Sequence, residues 1–244
     1  MVVTFRSVDE FEGWDKFPAF IEKVIANYSP KRVCEIGAGA NPAIGPDVVR
    51  KHGLQFCAVD EVETELLKSG VAGTETTATS VYDVCAPDAP VPGAPYDLIF
   101  SRMTAEHFRD SDHAYRNMLH ALAPGGLSVH CFATLYALPF VLNRMLPDSV
   151  SDFLFDRFSP RDRDRHDKFK AYYSHCRGPL ASQIQYFRDF GYEVLEYRAC
   201  FGHNYYAFRL PLLHFVHRQK TNLLLKAPIP FFTSYATVIL RRPL

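Results

Sequence analysis

Short apolar runs recur along the chain and stop abruptly at glycine or an acid. Arg32–Gly37 (RVCEIG), Leu54–Asp60 (LQFCAVD), Tyr96–Ser101 (YDLIFS) and Gly126–Phe132 (GLSVHCF) share this form. A run that is apolar at nearly every position suits a strand buried on both faces. A shorter run before Asp83 (SVYDV), then GYEVLEYRA and SYATVILRR, bring the predicted strands to seven. Between them the pattern predicts helices over Trp14–Asn27, Asp47–Lys51, Val62–Lys68, Ala105–Ala121 and Leu180–Phe190. Strands that alternate with helices predict an α/β fold, a Rossmann-like, doubly wound, mostly parallel sheet with helices on both faces. Helical insertions are expected after the fifth and sixth strands.

The organisation that follows is one domain, 1–244. Residues 1–30 form an N-terminal helical cover, 31–133 a cofactor-binding half, and 134–191 and 200–231 insertions that cover a substrate. In an open sheet of this kind ligands bind at the carboxyl ends of the strands, near the point where strand order reverses.

Composition narrows the partners. Of 244 residues 48% are hydrophobic, enough for a core, and Lys+Arg and Asp+Glu both number 27. A net charge of +0 gives nucleic acid no global electrostatic hold. The balance is uneven along the chain. Between Val59 and Asp97 eight acids face only Lys68, and after Glu196 no acid remains while seven Lys or Arg follow. The six cysteines are scattered, several within apolar runs, which predicts buried free thiols and a reducing cytoplasm. Neither a signal peptide nor a membrane span is expected.

The candidate chemistry starts at Gly37 and Gly39, which follow the first predicted strand directly. Backbone there can come close to a ligand because no Cβ intervenes. Asp60 ends the next strand about 20 residues later, where a carboxylate can accept from ribose hydroxyls. An acid closing a buried parallel strand has little structural reason to stand there, which marks Asp60 for a ligand. Pro42 occupies the place where a dinucleotide loop carries its third glycine. A proline there suits a loop that does not run straight into a helix N-terminus, so a pyrophosphate loses its seat. S-adenosylmethionine carries no phosphate and needs no such seat; NAD is the weaker alternative.

The ordered set Glu35-x-Gly37-x-Gly39, Asp60, Asp83, Asp97 and Leu122-x-Pro124-Gly125-Gly126 resembles the class I S-adenosylmethionine-dependent methyltransferases, closely over residues 31–133. The resemblance implies that Gly37, Ala38, Gly39 and Asn41 pass the backbone beneath the methionine portion, with Glu35 anchoring that loop or the amine. It implies that Asp60, with Glu61, holds the ribose, that Asp83 and Val84 frame the adenine, and that Ser101 and Arg102 sit beside the sulfonium. Asp97 reads as a cap on its strand, and Leu122–Gly126 as a turn.

Methyl transfer from a sulfonium is an in-line displacement that needs alignment and, for a hydroxyl acceptor, a base. His107 is the candidate base, with Glu106 beside it to orient the ring; His175, His203 or a tyrosine are the alternatives. His130, inside a strand, reads as a core histidine. In the second half Lys170, Tyr172, Tyr173, His175 and Arg177 form a dense polar and aromatic cluster, and Tyr172, Tyr173, His175 and Arg177, with His203 and Tyr205, are the set expected to bind the acceptor. The segments FKAYYSHCRGP and GHNYY resemble methyltransferases of glycan and natural-product pathways, which implies O-methylation of a small-molecule or saccharide hydroxyl. A basic, aromatic cover suits an anionic or aromatic acceptor. The same tail suits a helix resting on anionic lipid, with Leu212, Leu213, Phe215 and Val216 towards the bilayer. N- or C-methylation, and a non-catalytic binding protein with this fold, stay open. Cys200 and His203 with His175 and Cys176 lack a paired ligand motif, so no metal is expected.

Overall fold

The computed structural model of the chain describes residues 1–69, 77–135, 170–207 and 210–244. Most of the first expected insertion, residues 136–169, lies outside the described residues. The strands are β1 (Val2–Ser7), β2 (Arg32–Ile36), β3 (Gln55–Asp60), β4 (Thr77–Val81), β5 (Tyr96–Arg102), β6 (Leu122–Ala133), β7 (Glu193–Phe201) and β8 (Tyr235–Arg241). They form one sheet of eight strands in the order β1-β7-β8-β6-β5-β2-β3-β4. Every pairing is parallel except the two made by β8.

The eighth strand corrects the expected helical cover over residues 1–30. β1 runs parallel to β7 from Val2 opposite Glu196 to Ser7 opposite Phe201. Its residues, VVTFRS, are mixed in polarity because an edge strand needs only partial burial, so it lacks the continuous apolar run of the inner strands. The expected Trp14–Asn27 helix starts later, as α1 (Phe17–Tyr28), and buries Phe17, Phe20, Ile21, Val24 and Ile25 at helical spacing.

The other helices are α2 (Pro46–His52), α3 (Glu63–Lys68), α4 (Ser111–Ala121), α5 (Ala181–Asp189) and α6 (Pro211–Lys226). The helix expected over Ala105–Ala121 is two elements, a single 3-10 turn at Ala105–His107 and then α4. The break comes where Asp110 caps α4, its side chain accepting from the His113 amide at 3.0 Å. This break sets His107 on a turn of its own.

Leu122–Gly126 is part of β6 and not a free turn. Tyr96 pairs with Leu122 but Leu98 with Leu127, so the Pro124-Gly125-Gly126 segment bulges out of the ladder. Gly125, at φ +79°, donates to the Arg242 carbonyl and closes the bulge against the chain end. At the same end of the sheet Asp97 accepts from the Lys31 and Arg32 amides at 2.7 and 2.9 Å, fixing the start of β2 against β5. His130 is fully buried, with Ser101 Oγ 2.8 Å from Nδ1 and Ser128 Oγ 2.6 Å from Nε2. Burial pushes its pKa down to about 3. All six cysteines are buried, and none forms a disulfide.

Gly178 sits against the 3-10 turn Pro230–Phe232, and a Cβ there would fall onto the Pro230 carbonyl and Thr233. Gly178→Ala is therefore expected to cost about 1–3 kcal/mol as overpacking against backbone. The check is a lowered denaturant midpoint with an unchanged m-value.

Candidate active site

Strand order reverses between β2 and β5: β3 and β4 extend to one edge, β6, β8, β7 and β1 to the other. At the carboxyl ends on either side of this reversal opens a cleft of about 390 Å³. Its volume is in the range of small-molecule sites.

The glycine loop forms one wall. Gly37 and Gly39 have φ of +70° and +53°, and a Cβ on Gly37 would run into Thr104. The Gly37 and Ala38 amides both donate to the Val59 carbonyl, which draws the loop over β3. Gly39 N donates to Asp60 Oδ2, and Val62 N to Oδ1, each at 2.9 Å. Further along, the Ala43 amide reaches both oxygens of Glu35, at 2.8 and 3.1 Å. Arg102 donates to the Asn41 carbonyl. The loop is thus held by two acids and one guanidinium before any ligand arrives.

Asp60 therefore does have a structural task, contrary to the sequence reading, and each of its oxygens keeps capacity for a further donor. Glu35 is 1% exposed, does not line the cleft, and anchors the loop from behind. Burial pushes its pKa up to about 8, against the lowering effects of the Ala43 amide and the Arg102 charge.

Glu61, Glu65, Tyr82, Asp83 and Val84 line the far end of the cleft. Asp83 Oδ1 accepts from the Cys85 amide at 2.9 Å, and Oδ2 pairs with Arg109 across the mouth. On β5, alternation splits the two expected residues. Arg102 lines the cleft, whereas Ser101 is fully buried on the opposite side with His130. Ser101 is thus a core residue and not a neighbour of the sulfonium.

The same split separates Glu106 from His107. His107 lines the cleft, and its Nδ1 lies 3.0 Å from the Lys170 carbonyl. A carbonyl only accepts, so Nδ1 is the donor of this pair; in a neutral ring the lone pair is then on Nε2. Glu106 is 4% exposed and points into the interior, where Oε1 accepts weakly from Ala133 N at 3.4 Å. The ring is oriented by Lys170, not by Glu106. The Glu106 backbone carbonyl does serve the site, because it accepts from the amides of Tyr172 and Tyr173 and brings that segment to the cleft.

Of the residues expected to bind the acceptor, Tyr172 lines the cleft, with Lys170 Nζ 5.4 Å from its ring centre. The others do not line it. Tyr173 is buried, and its carbonyl accepts from Arg177. Arg177 is spent on backbone carbonyls, which keeps its charge from the cleft. His175 stacks on Tyr186 at 3.7 Å. Tyr205 packs against the core. His203 is 2% exposed and lies under α6, its ring 4.0 Å from His217. Among the described residues no group of three or more His, Cys, Asp or Glu is placed to hold a metal ion.

Tyr82, Met103, Thr104, Phe108 and Arg109 also line the cleft and were missed. Met103 and Thr104 follow β5 directly, so the strand-end rule that found Arg102 could have found them. Lys170, from the polar and aromatic set of the second half, lines the cleft beside Tyr172.

The residues present fit S-adenosylmethionine better than a dinucleotide. α2 begins only at Pro46, and none of its residues lines the cleft, so its N-terminus is not set against the glycines to take a pyrophosphate. Carboxylates at Asp60, Glu61, Glu65 and Asp83 line the cleft instead, which suits a cationic ligand with ribose hydroxyls. A family described as "Methyltransferase domain" matches residues 10–197. The chain belongs to this methyltransferase family. It has the fold of the class I S-adenosylmethionine-dependent methyltransferases.

Solved structures agree on the architecture. An S-adenosylmethionine-dependent methyltransferase from Clostridium acetobutylicum superposes with a TM-score of 0.56 at 12% identity, over 95% of this chain and 92% of that one. A putative sarcosine dimethylglycine methyltransferase from Galdieria sulphuraria gives 0.54 at 13%, over 94% and 85%. The [4+2]-cyclase SpnF gives 0.53 at 15%, over 95% and 84%. At such identities the likeness speaks for the fold alone. No curated protein matches the sequence.

For this methyltransferase, Glu35→Ala leaves the Ala43 amide unpaired in the interior and is expected to cost about 1–3 kcal/mol, whereas Glu35→Gln keeps an acceptor. The raised pKa of Glu35 means that the folded chain holds a proton which the unfolded chain releases above 4.5. Its contribution is therefore full below pH 4.5 and lost as pH rises through about 8. Denaturant titrations across that window should show wild type losing stability relative to Glu35→Gln; parallel curves would remove the effect.

Proposed function

We propose that this methyltransferase moves the methyl group of S-adenosylmethionine to a hydroxyl of a small molecule or saccharide, with His107 as general base. The observation that carries the reading is the placing of His107: its ring lines the cleft, and the Lys170 carbonyl accepts from Nδ1. A neutral imidazole so oriented can take the proton of a hydroxyl as it attacks. The cofactor supplies an electrophilic methyl group on a sulfonium.

The chain's own residues do the rest by positioning. Gly37, Ala38, Gly39 and Asn41 offer close backbone to the methionine portion. Asp60, with Glu61 near it, accepts from the ribose hydroxyls through oxygens that Gly39 N and Val62 N leave partly open. Val84 and Tyr82 supply apolar walls for the adenine, and Asp83, steadied by Arg109, an acceptor for its amine. Lys170 and Tyr172 form the acceptor side, a cation beside an aromatic face that suits an aromatic ring or an anionic group. The buried thiols suit a reducing cytoplasm.

A second reading, N-methylation, draws on the carboxylates of the cleft, which would attract an amine. A third, a binding protein or an enzyme of another class on the same fold, is kept in view by the cyclase among the solved structures.

Calorimetric titration with S-adenosylhomocysteine and with NAD, on wild type and Asp60→Ala, tests the donor. Binding of S-adenosylhomocysteine that weakens about tenfold or more in the variant is expected, from the loss of two charge-assisted acceptors. Preference for NAD, or no binding at all, sinks the reading. With an acceptor found by screening, His107→Ala should lower kcat by about 10²–10⁴ while leaving donor affinity unchanged. A variant that keeps wild-type kcat removes His107 as the base and favours an amine acceptor.

A further inference from the structure

Helix α6 is built inside out. At 3.6 residues per turn Leu212, Phe215, Val216 and Leu223 fall within an arc of about 100°, which Gln219 and the terminal Lys226 share. That arc faces solvent, with Leu212 78%, Phe215 59%, Val216 56% and Leu223 67% exposed. The opposite arc carries His214, His217, Thr221 and Leu224, and it is this mostly polar side that packs on the protein. Thr221 and Leu224 are buried, and His217 Nε2 accepts from the His203 amide at 3.1 Å. A helix that served only to cover a core would turn its apolar arc inward.

The apolar face continues past the helix. Ile229, Phe231 and Phe232 are 48%, 44% and 37% exposed. Ten of the seventeen exposed large hydrophobic residues among the described residues lie between 210 and 232, so this is a patch and not scatter. The segment's own charges are of one sign, although Asp9 lies near Arg218 at one side. Arg218 and Lys220 flank the apolar arc on either side, Lys226 ends the helix, and residues 197–244 contain no acid. Lys220 lies 4.8 Å above the Phe232 ring, a stem along the apolar surface with its charge at the rim.

We propose that this face docks on an anionic lipid surface, with α6 lying in the plane of the interface. The apolar arc would enter the acyl boundary while Arg218, Lys220 and Lys226 meet the headgroups. The helix has 16 residues, and no helix among the described residues is long and apolar enough to cross a membrane, so it would rest on the surface and not span it. A second copy of this chain fits less well. A two-fold contact across the patch would bring basic flanks together with no acid in 197–244 to answer them. The proposal is independent of methyl transfer.

Cosedimentation of the full chain with vesicles tests it. Binding should be about tenfold stronger to phosphatidylcholine vesicles holding about one third phosphatidylserine than to phosphatidylcholine alone, and weaker in high salt. The double variant Leu212→Glu with Phe215→Glu should lose the binding, and Arg218→Glu with Lys226→Glu should lose the preference for anionic lipid. Both replace exposed side chains and should keep the wild-type Tm. Failure of wild type to sediment with either vesicle, or unchanged binding by the Leu212/Phe215 variant, overturns the proposal. In that event light scattering assigns the face: a dimer broken by the same variant points to a second copy, and a monomer to a covering segment of this chain.

Discussion

The amides of Gly39 and Val62 converge on the single carboxylate of Asp60, and the shape of the cleft depends on that meeting. One amide belongs to the glycine loop after β2 and the other to the turn after β3, so the acid ties two neighbouring strand ends together. Such charge-assisted bonds contribute about 1.5–3 kcal/mol each. Glu35 and Arg102 secure the rest of the loop through the Ala43 amide and the Asn41 carbonyl. Gly37 could not carry a side chain here, because both its positive φ and the nearness of Thr104 forbid one. The wall that meets the cofactor is therefore set before binding, and little ordering entropy is left to be lost when the ligand arrives.

Neighbouring residues around the cleft do opposite things. Arg102 looks into it and Ser101 into the core; His107 lines it and Glu106 is buried behind it. The first split follows from the two-residue period of a strand. The second follows from a single 3-10 turn, which ends before α4 starts and so presents one side chain outward and the previous one inward. Chemistry at the cleft and packing beneath it are thus written into adjacent positions, and each pair must be read against the local geometry.

The far edge of the sheet follows another logic. β1 adds a strand beside β7, and α6 covers the region where β7 ends, held by the His203 amide that donates to His217 Nε2. Burial and the neighbouring positive charges push the pKa of His203 down to about 3, and burial with the Lys220 and His214 charges pushes that of His217 down to about 4. The exposed side of the helix is apolar, with Arg218, Lys220 and Lys226 as its basic residues.

What the sequence by itself determined is the parallel sheet and the end of it that binds ligand. The continuous apolar runs of β2, β3, β5 and β6 leave no face for water, and Gly37, Gly39 and Asp60 stand where those runs stop. Those signals are local and follow from burial and backbone freedom alone. β1 escaped because an edge strand is only half covered and carries no such run. The assignments in the second half needed the tertiary structure, because a polar and aromatic composition does not say which side chains turn towards the cleft. Tyr172 reaches it and Tyr173 does not, since the Glu106 carbonyl gathers both amides and the chain turns between them. Lys170 orients His107 across 63 residues of sequence, and no local pattern can encode a contact of that span. The inverted face of α6 was likewise decided by packing: its moment is visible in the sequence, but only the fold shows which side meets the protein.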